Sequence, residues 1–242
     1  MDLLDKREER IQRMFDEIAP KYDLLNHLLS LNIDTYWRRR TTELVPVQGD
    51  APILDLCTGT GDLAFAYDRA SKGTVPIIAA DFSHEMLVRG VAKAKKRKLS
   101  DRITFVAADA QELPFASDHF QIACVAFGLR NVTNTDRGLS EMVRVTKPGG
   151  RVAILEFSRP RHWFFGRMYR YYFRFMLPLV GQVFSRSKDK AYRYLPESVM
   201  TFPDGDEMLA KLRAHGLMDV SMKSFTFGVA TLYVGVKPER PA

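Results

Sequence analysis

The sequence predicts an α/β fold: a mostly parallel seven-stranded sheet with helices on both faces and one antiparallel strand. Three observations predict it. From about residue 50 onward, seven short apolar runs recur. Most are separated by segments of helical periodicity, and each is nearly continuously apolar, as strands buried on both faces are. The last two runs adjoin through Gly228, which suits a hairpin and not a crossover.

In chain order, PILDLC at 52–57 reads as a strand and GDLAFAYDRA at 61–70 as a helix. VPIIAAD at 75–81 is the second strand, followed by a helix over 84–98 that ends in KAKKRK. ITFVAAD at 103–109 and FQIACVAF at 120–127 are strands, and TDRGLSEMVRVT at 135–146 is a helix. KPGG at 147–150 makes a turn immediately before the fifth strand, RVAILEF at 151–157. A helix over 203–216, ended by Gly216, precedes the closing segments MDVSMKSFTF and VATLYVGV. Two pieces fall outside this alternation. Residues 1–49 form a helical cap, in which Ile18, Tyr22, Leu25 and Leu29 recur at helix spacing and make one face apolar. The core then runs over 50–242, interrupted at about 158–202 by a helical aromatic and basic insertion.

Composition narrows the chemistry. With 242 residues, 46% apolar and 27% charged, the chain suits one well-buried domain with an insertion. Cys57 and Cys124 lie 67 residues apart in apolar runs and read as two buried free thiols of a reducing compartment. The five histidines show no ligand spacing, so no metal is expected. The N-terminus is too charged for a signal peptide, and no stretch reaches the roughly eighteen apolar residues that span a bilayer. A cytoplasmic location is expected. The net charge of +7 favours an anionic partner, and KAKKRK reads as a solvated helix end that complements the helix dipole.

DLCTGTGDLA at 55–64 follows a strand and opens a helix. Gly59 and Gly61 let that backbone turn sharply and approach a ligand with no side chain in the way. A structural reading, glycines serving only a tight turn, stays open beside it. Asp81 ends the second strand, where a carboxylate can accept from both hydroxyls of a ribose. Asp55 lies inside the first strand, where a carboxylate is costly unless something needs it. Asp109, followed by Ala110, ends the third strand.

This set resembles the class I S-adenosylmethionine-dependent methyltransferases, whose Rossmann-like sheet it matches in order and spacing. The resemblance implies that Asp55, Gly59, Thr60, Gly61, Asp81, Asp109 and Ala110 bind S-adenosylmethionine. A dinucleotide dehydrogenase would give no reason for the KPGG turn or the closing hairpin. More specific are FDEIAPKYDLLNHLLSLNIDTYWR near the N-terminus, FGLRNVTNTDRGLSEMVRVTKPGGRVAILEFSRP in the middle, and AYRYLPESV at 191–199. Together they are similar to the quinone C-methyltransferases that act on demethylmenaquinol and, in some bacteria, on a 2-polyprenyl-6-methoxy-1,4-benzoquinol. The acceptor implied is a polyprenyl quinol held at a membrane. Some members serving both quinones carry a serine where this chain has Ala126, which tilts the expectation toward demethylmenaquinol. The same motifs argue against an RNA methyltransferase, despite the charge, and no nucleic acid is expected as a partner.

For the chemistry, Arg130 and Asn131 of FGLRNV stand where they would stabilise and orient a phenolate. A structural reading pairs Arg130 with a carboxylate instead. Tyr22, His27 and Asp34 on the cap, with Tyr192 and Arg193 of AYRYLPESV, are candidates to line the ring pocket. The stretch RHWFFGRMYRYYFRFML at 161–177 contains eight aromatics and four arginines. On a helix Arg167, Arg170 and Arg174 form one stripe, suited to lipid phosphates, while the aromatics sit at headgroup depth. The inner face of the membrane is the expected partner of this segment, and its apolar surface would also suffice for a homodimer.

Overall fold

A computed structural model describes residues 8–160 and 190–239, with Trp163 and Arg167 between them; for Glu8, Lys21, Leu25, Leu28, Leu29, residues 190–193 and Leu195 it describes the backbone alone. The segment at 161–177, those two residues apart, lies outside the described residues, as do the side chains of Tyr192 and Arg193.

Three helices come first: α1 (Glu8–Ile18), α2 (Tyr22–Leu29) and α3 (Ile33–Leu44). The core alternates β1 (Ile53–Leu56), α4 (Asp62–Ala70), β2 (Ile77–Asp81), α5 (His84–Lys96), β3 (Ile103–Ala107), β4 (Phe120–Ala126), α6 (Thr135–Val145) and β5 (Thr146–Phe157). It closes with α7 (Lys190–Thr201), α8 (Asp206–Ala214), β6 (Met218–Phe225) and β7 (Ala230–Val236). The seven strands form one sheet in the order β3-β2-β1-β4-β5-β7-β6. The pairs from β3 to β5 are parallel, and β7 runs antiparallel to both of its neighbours. Among the described residues no helix is long and apolar enough to cross a membrane.

Both faces of the inner strands β1, β2 and β4 are buried, which is why they read as unbroken apolar runs, whereas the edge strand β6 is mostly exposed. Leu54, Leu56, Val125, Val152 and Ile154 pack under α6 and α8 with Leu139, Met142 and Leu212. The alternate residues Ile53, Ile77, Ile122, Cys124 and Leu155 face Trp37, Leu63, Phe65 and Ala94 on the other side. Each large apolar side chain buried in this way contributes roughly 1.5–3 kcal/mol.

Two expectations are corrected. The apolar face through Ile18, Tyr22, Leu25 and Leu29 is not one helix. Pro20 has no N–H to give, so α1 ends at Ile18, Ala19–Lys21 form a single 3-10 turn, and Tyr22 starts α2. KPGG does not precede the fifth strand but lies within it. Phe120 pairs with Thr146 and Ile122 with Arg151, so the extra residues loop out of register. Their backbone is still satisfied: Gly149 N–H donates to the Lys237 carbonyl and Lys237 N–H to that of Gly150, each at 2.9 Å.

The cap is tied to the core at particular points. Gln12 donates to the Phe82 carbonyl at 3.3 Å, and the Ser83 hydroxyl to Asp16 at 2.6 Å. Trp37 packs its ring on Phe127 and Phe157 and donates its indole N–H to Thr226 at 2.8 Å. A helical segment that had to nucleate alone is thereby fixed over one end of the sheet.

Candidate functional site

The strand order reverses between β1 and β4, because β1 is followed by β2 on one side and β4 by β5 on the other. Loops leaving two such strands diverge and open a crevice at their carboxyl ends. The glycine loop leaves β1 and the Phe127–Asn131 turn leaves β4. They approach closely: a Cβ on Gly128 would stand 2.3 Å from the Cys57 Cβ, so only glycine fits there. A solvent-open cavity of about 650 Å³ fills the crevice.

Four of the residues expected at the cofactor line this cavity or its floor: Gly59, Asp81, Asp109 and Ala110. Gly59 has φ +58°, and a Cβ there would meet the Tyr22 ring at 3.6 Å. Asp81 accepts from Gly59 N–H at 2.7 Å and from Ser83 N–H at 2.9 Å. Burial pushes its carboxyl up to about 6 despite these bonds. Asp109 accepts from the Gln111 N–H at 2.9 Å, while the Gln111 side-chain oxygen accepts from Asn134 N–H. Gln111 thus fixes the acid's orientation. Ile11, Phe15, Phe82 and Met86 supply an apolar wall. Two acids at neighbouring strand ends, a bare glycine and an apolar slab fit an adenosine with a charged tail.

Asp55, Thr60 and Gly61 are also in this neighbourhood, but they shape the loop and do not line the cavity. Asp55 accepts from the Thr58 hydroxyl at 2.5 Å and from Ala64 N–H at 3.0 Å, so it braces the first turn of α4. Thr60 faces the cap, donating to Asp23 at 2.5 Å. Gly61 (φ +92°) permits helix–strand packing, since a Cβ there would press on Phe105 at 3.0 Å and Phe65 at 3.1 Å.

Burial pushes the Asp55 carboxyl to about 7, the bonds from Thr58 and Ala64 only partly offsetting it. This lies above its unfolded value of 3.8, so the folded chain retains a proton that the unfolded chain releases. Stability from this group is full below the unfolded value and lost as pH rises through 7. Asp55→Asn is therefore expected to remove that slope. In urea unfolding, the variant should gain roughly 2 kcal/mol on wild type between pH 5 and pH 8.

Arg130 is corrected as a group facing the ring. Its guanidinium is buried and does not line the cavity. It donates to Glu156 Oε2 at 2.9 Å and Oε1 at 3.2 Å and to the Phe127 carbonyl, and stacks over Phe157. Glu156 is fully buried and also accepts from the Arg130 backbone N–H at 3.2 Å. The pair anchors the turn at the end of β4. Asn131, next along that turn, does line the cavity, and its Oδ1 has no hydrogen-bond partner. Tyr22 lines it as well, and burial pushes its hydroxyl up, the bond with Asn26 opposing.

Some site residues were not singled out in advance. Cys57 lies in the cavity wall, where burial and the nearby Asp81 and Asp55 push its thiol well up and keep it neutral. Lys93, from the run expected to be solvated, is drawn inward onto Asp23, Asp62 and Thr60. His27 and Asp34, expected near the ring pocket, do not line the cavity; they converge instead with Asp62 within 4.8 Å. Their charges are answered from within: burial would raise Asp34, but Arg38 with the Ser30 and His27 bonds holds it below the usual range. Arg38 and Lys93 do the same for buried Asp62.

The model of the ubiE/COQ5 methyltransferase family matches residues 3–237. The ubiquinone/menaquinone biosynthesis C-methyltransferase UbiE of Geobacter sulfurreducens is 43% identical over 97% of this chain and 91% of its own length. The demethylmenaquinone methyltransferase of Thermus thermophilus is 44% identical over 93% of this chain and 100% of its own. Among solved structures, the cyclase SpnF superposes with a TM-score of 0.70 at 16% identity, covering 95% of each chain. A SAM-dependent methyltransferase from Aquifex aeolicus does so with a TM-score of 0.60 at 14% identity, over 84% of this chain and 90% of that one. These two likenesses are of fold.

Proposed function

The chain belongs to the ubiE/COQ5 methyltransferase family, and from that premise we propose that it methylates a ring carbon of a polyprenyl quinol, converting demethylmenaquinol to menaquinol. The observation that carries the reading is the cavity where the bare loop at Gly59, the acids Asp81 and Asp109, and the unpartnered amide oxygen of Asn131 meet.

S-adenosylmethionine supplies a methyl group already activated on a positively charged sulfur. The protein's task is then position and exclusion of water. Asp81 would accept from the ribose hydroxyls, Asp109 and Ala110 would meet the adenine, and the bare Gly59 backbone would leave room for the methionine part. Asn131 Oδ1 accepts from a ring hydroxyl and turns the acceptor carbon toward the methyl. As that hydroxyl gave up its proton to water, the ring carbon would gain the electron pair for a C–C bond to the methyl, whose bond to sulfur would break and leave a neutral thioether. The hydrogen displaced from this carbon would leave as a proton, restoring aromaticity, and the ring oxygen would take a proton back from water to give the quinol. The oxidised quinone lacks this electron pair. Arg130 and Glu156 hold the turn that carries Asn131.

A benzoquinol acceptor is the second reading, favoured by the name of the Geobacter sulfurreducens relative. Purified protein is expected to transfer methyl from S-adenosylmethionine to detergent-solubilised, dithionite-reduced demethylmenaquinol in preference to a methoxybenzoquinol assayed in parallel. Equal transfer to both would make the head-group pocket permissive; transfer to neither would refute the assignment.

The acceptor's tail keeps it in lipid, and the enzyme meets it at the inner face of the membrane through the segment at 161–177. Polybasic contacts contribute about 1 kcal/mol per charge near an anionic surface, so three arginines give reversible docking. Liposome flotation tests this. Replacing Arg167, Arg170 and Arg174 together by Ala should release most of the bound protein from anionic vesicles, and unchanged partitioning would remove the membrane role.

A further inference from the structure

The densest basic run of the chain contains one basic side chain that is drawn inward. Lys93 lies in the last turn of α5, with its side chain 21% exposed. Its ammonium donates to Asp23 Oδ2 at 2.9 Å, Asp62 Oδ1 at 2.7 Å and Thr60 Oγ1 at 2.9 Å, which uses all three N–H bonds. The Thr60 hydroxyl donates in turn to Asp23 Oδ1 at 2.5 Å. Asp23 belongs to α2 of the cap, Thr60 to the glycine loop and Asp62 to the first turn of α4. One cation on α5 therefore joins the cap, 70 residues away, to the junction of the glycine loop and α4, 31 to 33 residues away. Beside Asp23 stands Tyr22, which lines the cavity against Gly59, and the Gly59 N–H is held by Asp81.

We propose that Lys93 is a positioning residue for the methyl donor: through Asp23 and Thr60 it holds Tyr22 and the Gly59 loop in the arrangement that grips S-adenosylmethionine. Lys93 itself does not line the cavity. Without it, Asp23 loses its ion pair and the ammonium bridge from Asp23 to Asp62 and Thr60 is gone, so the cap is held less firmly on the loop. Arg38, whose charge also favours ionised Asp62, does not replace this bridge, because its guanidinium is hydrogen-bonded to Asp34. A bridge that merely stabilised the fold would lower the melting temperature and leave donor affinity of the folded protein alone.

The inference rests on the donor reading, and its test keeps the two apart. Full-length wild type, Lys93→Ala, Lys93→Arg, Tyr22→Ala and the Lys93→Ala/Tyr22→Ala pair are titrated with S-adenosylmethionine by calorimetry, at a temperature where all are folded. Lys93→Ala should raise Kd and KM for the donor about tenfold, with kcat at saturating donor within about twofold, and Lys93→Arg should recover most of the affinity. Once Tyr22→Ala is present, Lys93→Ala should add less than about twofold, because the two act in series. Wild-type affinity in Lys93→Ala, or full additivity with Tyr22→Ala, would overturn the proposal. Failure of wild type itself to bind the donor would instead overturn the reading on which it rests.

Discussion

Asp81→Asn is expected to weaken binding of the methyl donor about 100-fold, the largest single loss of affinity in the site. The Asp81 carboxylate already accepts from Gly59 and Ser83 backbone N–H groups, and in the proposed reading it accepts from the ribose as well. An amide has one accepting oxygen and a donating nitrogen, so it loses about two charge-assisted bonds of roughly 1.5–3 kcal/mol each, partly offset by relaxation of the loop. The same group sets a pH dependence. Its carboxyl titrates near 6, and the ionised form is the one that accepts. Donor affinity of wild type should therefore fall as pH drops through 6, and the Asn variant should show no such step. Calorimetric titration with S-adenosylhomocysteine from pH 5 to 8 checks both. Binding by the variant within about threefold of wild type at pH 8 would exclude Asp81 from the ribose.

The second large effect concerns stability. Glu156→Ala should destabilise the protein by about 3–5 kcal/mol, because Arg130 is left as an unpaired buried charge. For a domain of this size that is a fall in melting temperature of roughly 6–20 °C. Exchanging the whole pair, Arg130→Met with Glu156→Leu, should recover most of the loss, since neither charge then remains buried. Urea unfolding of the three proteins measures it. A neutral Glu156→Ala would show that the pair does not hold the turn at Leu129–Asn131.

Much of this was legible in the sequence wherever the signal is local. Strands buried on both faces show unbroken apolar runs, and a glycine loop between a strand and a helix identifies itself. Acids at strand ends follow from the fold, so Asp81 and Asp109 reached the cavity. Pro20 was a local signal too, and its missing N–H outweighed the apolar spacing of Ile18 and Tyr22. What failed to show was contact between distant segments. Arg130 could stabilise a phenolate or pair with an acid, and only its meeting with Glu156, 26 residues on, decides. Lys93 looked like its solvated neighbours, and its partners Asp23 and Thr60 lie 70 and 33 residues away. Asp55 was correctly marked as a costly carboxylate that something needs. The Thr58 hydroxyl and the Ala64 N–H are the groups it serves within the fold.

The central claim is ring-carbon methylation of a quinol, and it is most directly tested with S-adenosylmethionine labelled by deuterium in its methyl group. Wild type is incubated with this donor and with either dithionite-reduced or oxidised demethylmenaquinone, and the products are analysed by fragment mass. One labelled methyl on a carbon of the naphthoquinol ring, formed only from the reduced acceptor, is the predicted result. Label on a ring oxygen, equal labelling of the oxidised quinone, or no label in either would contradict it.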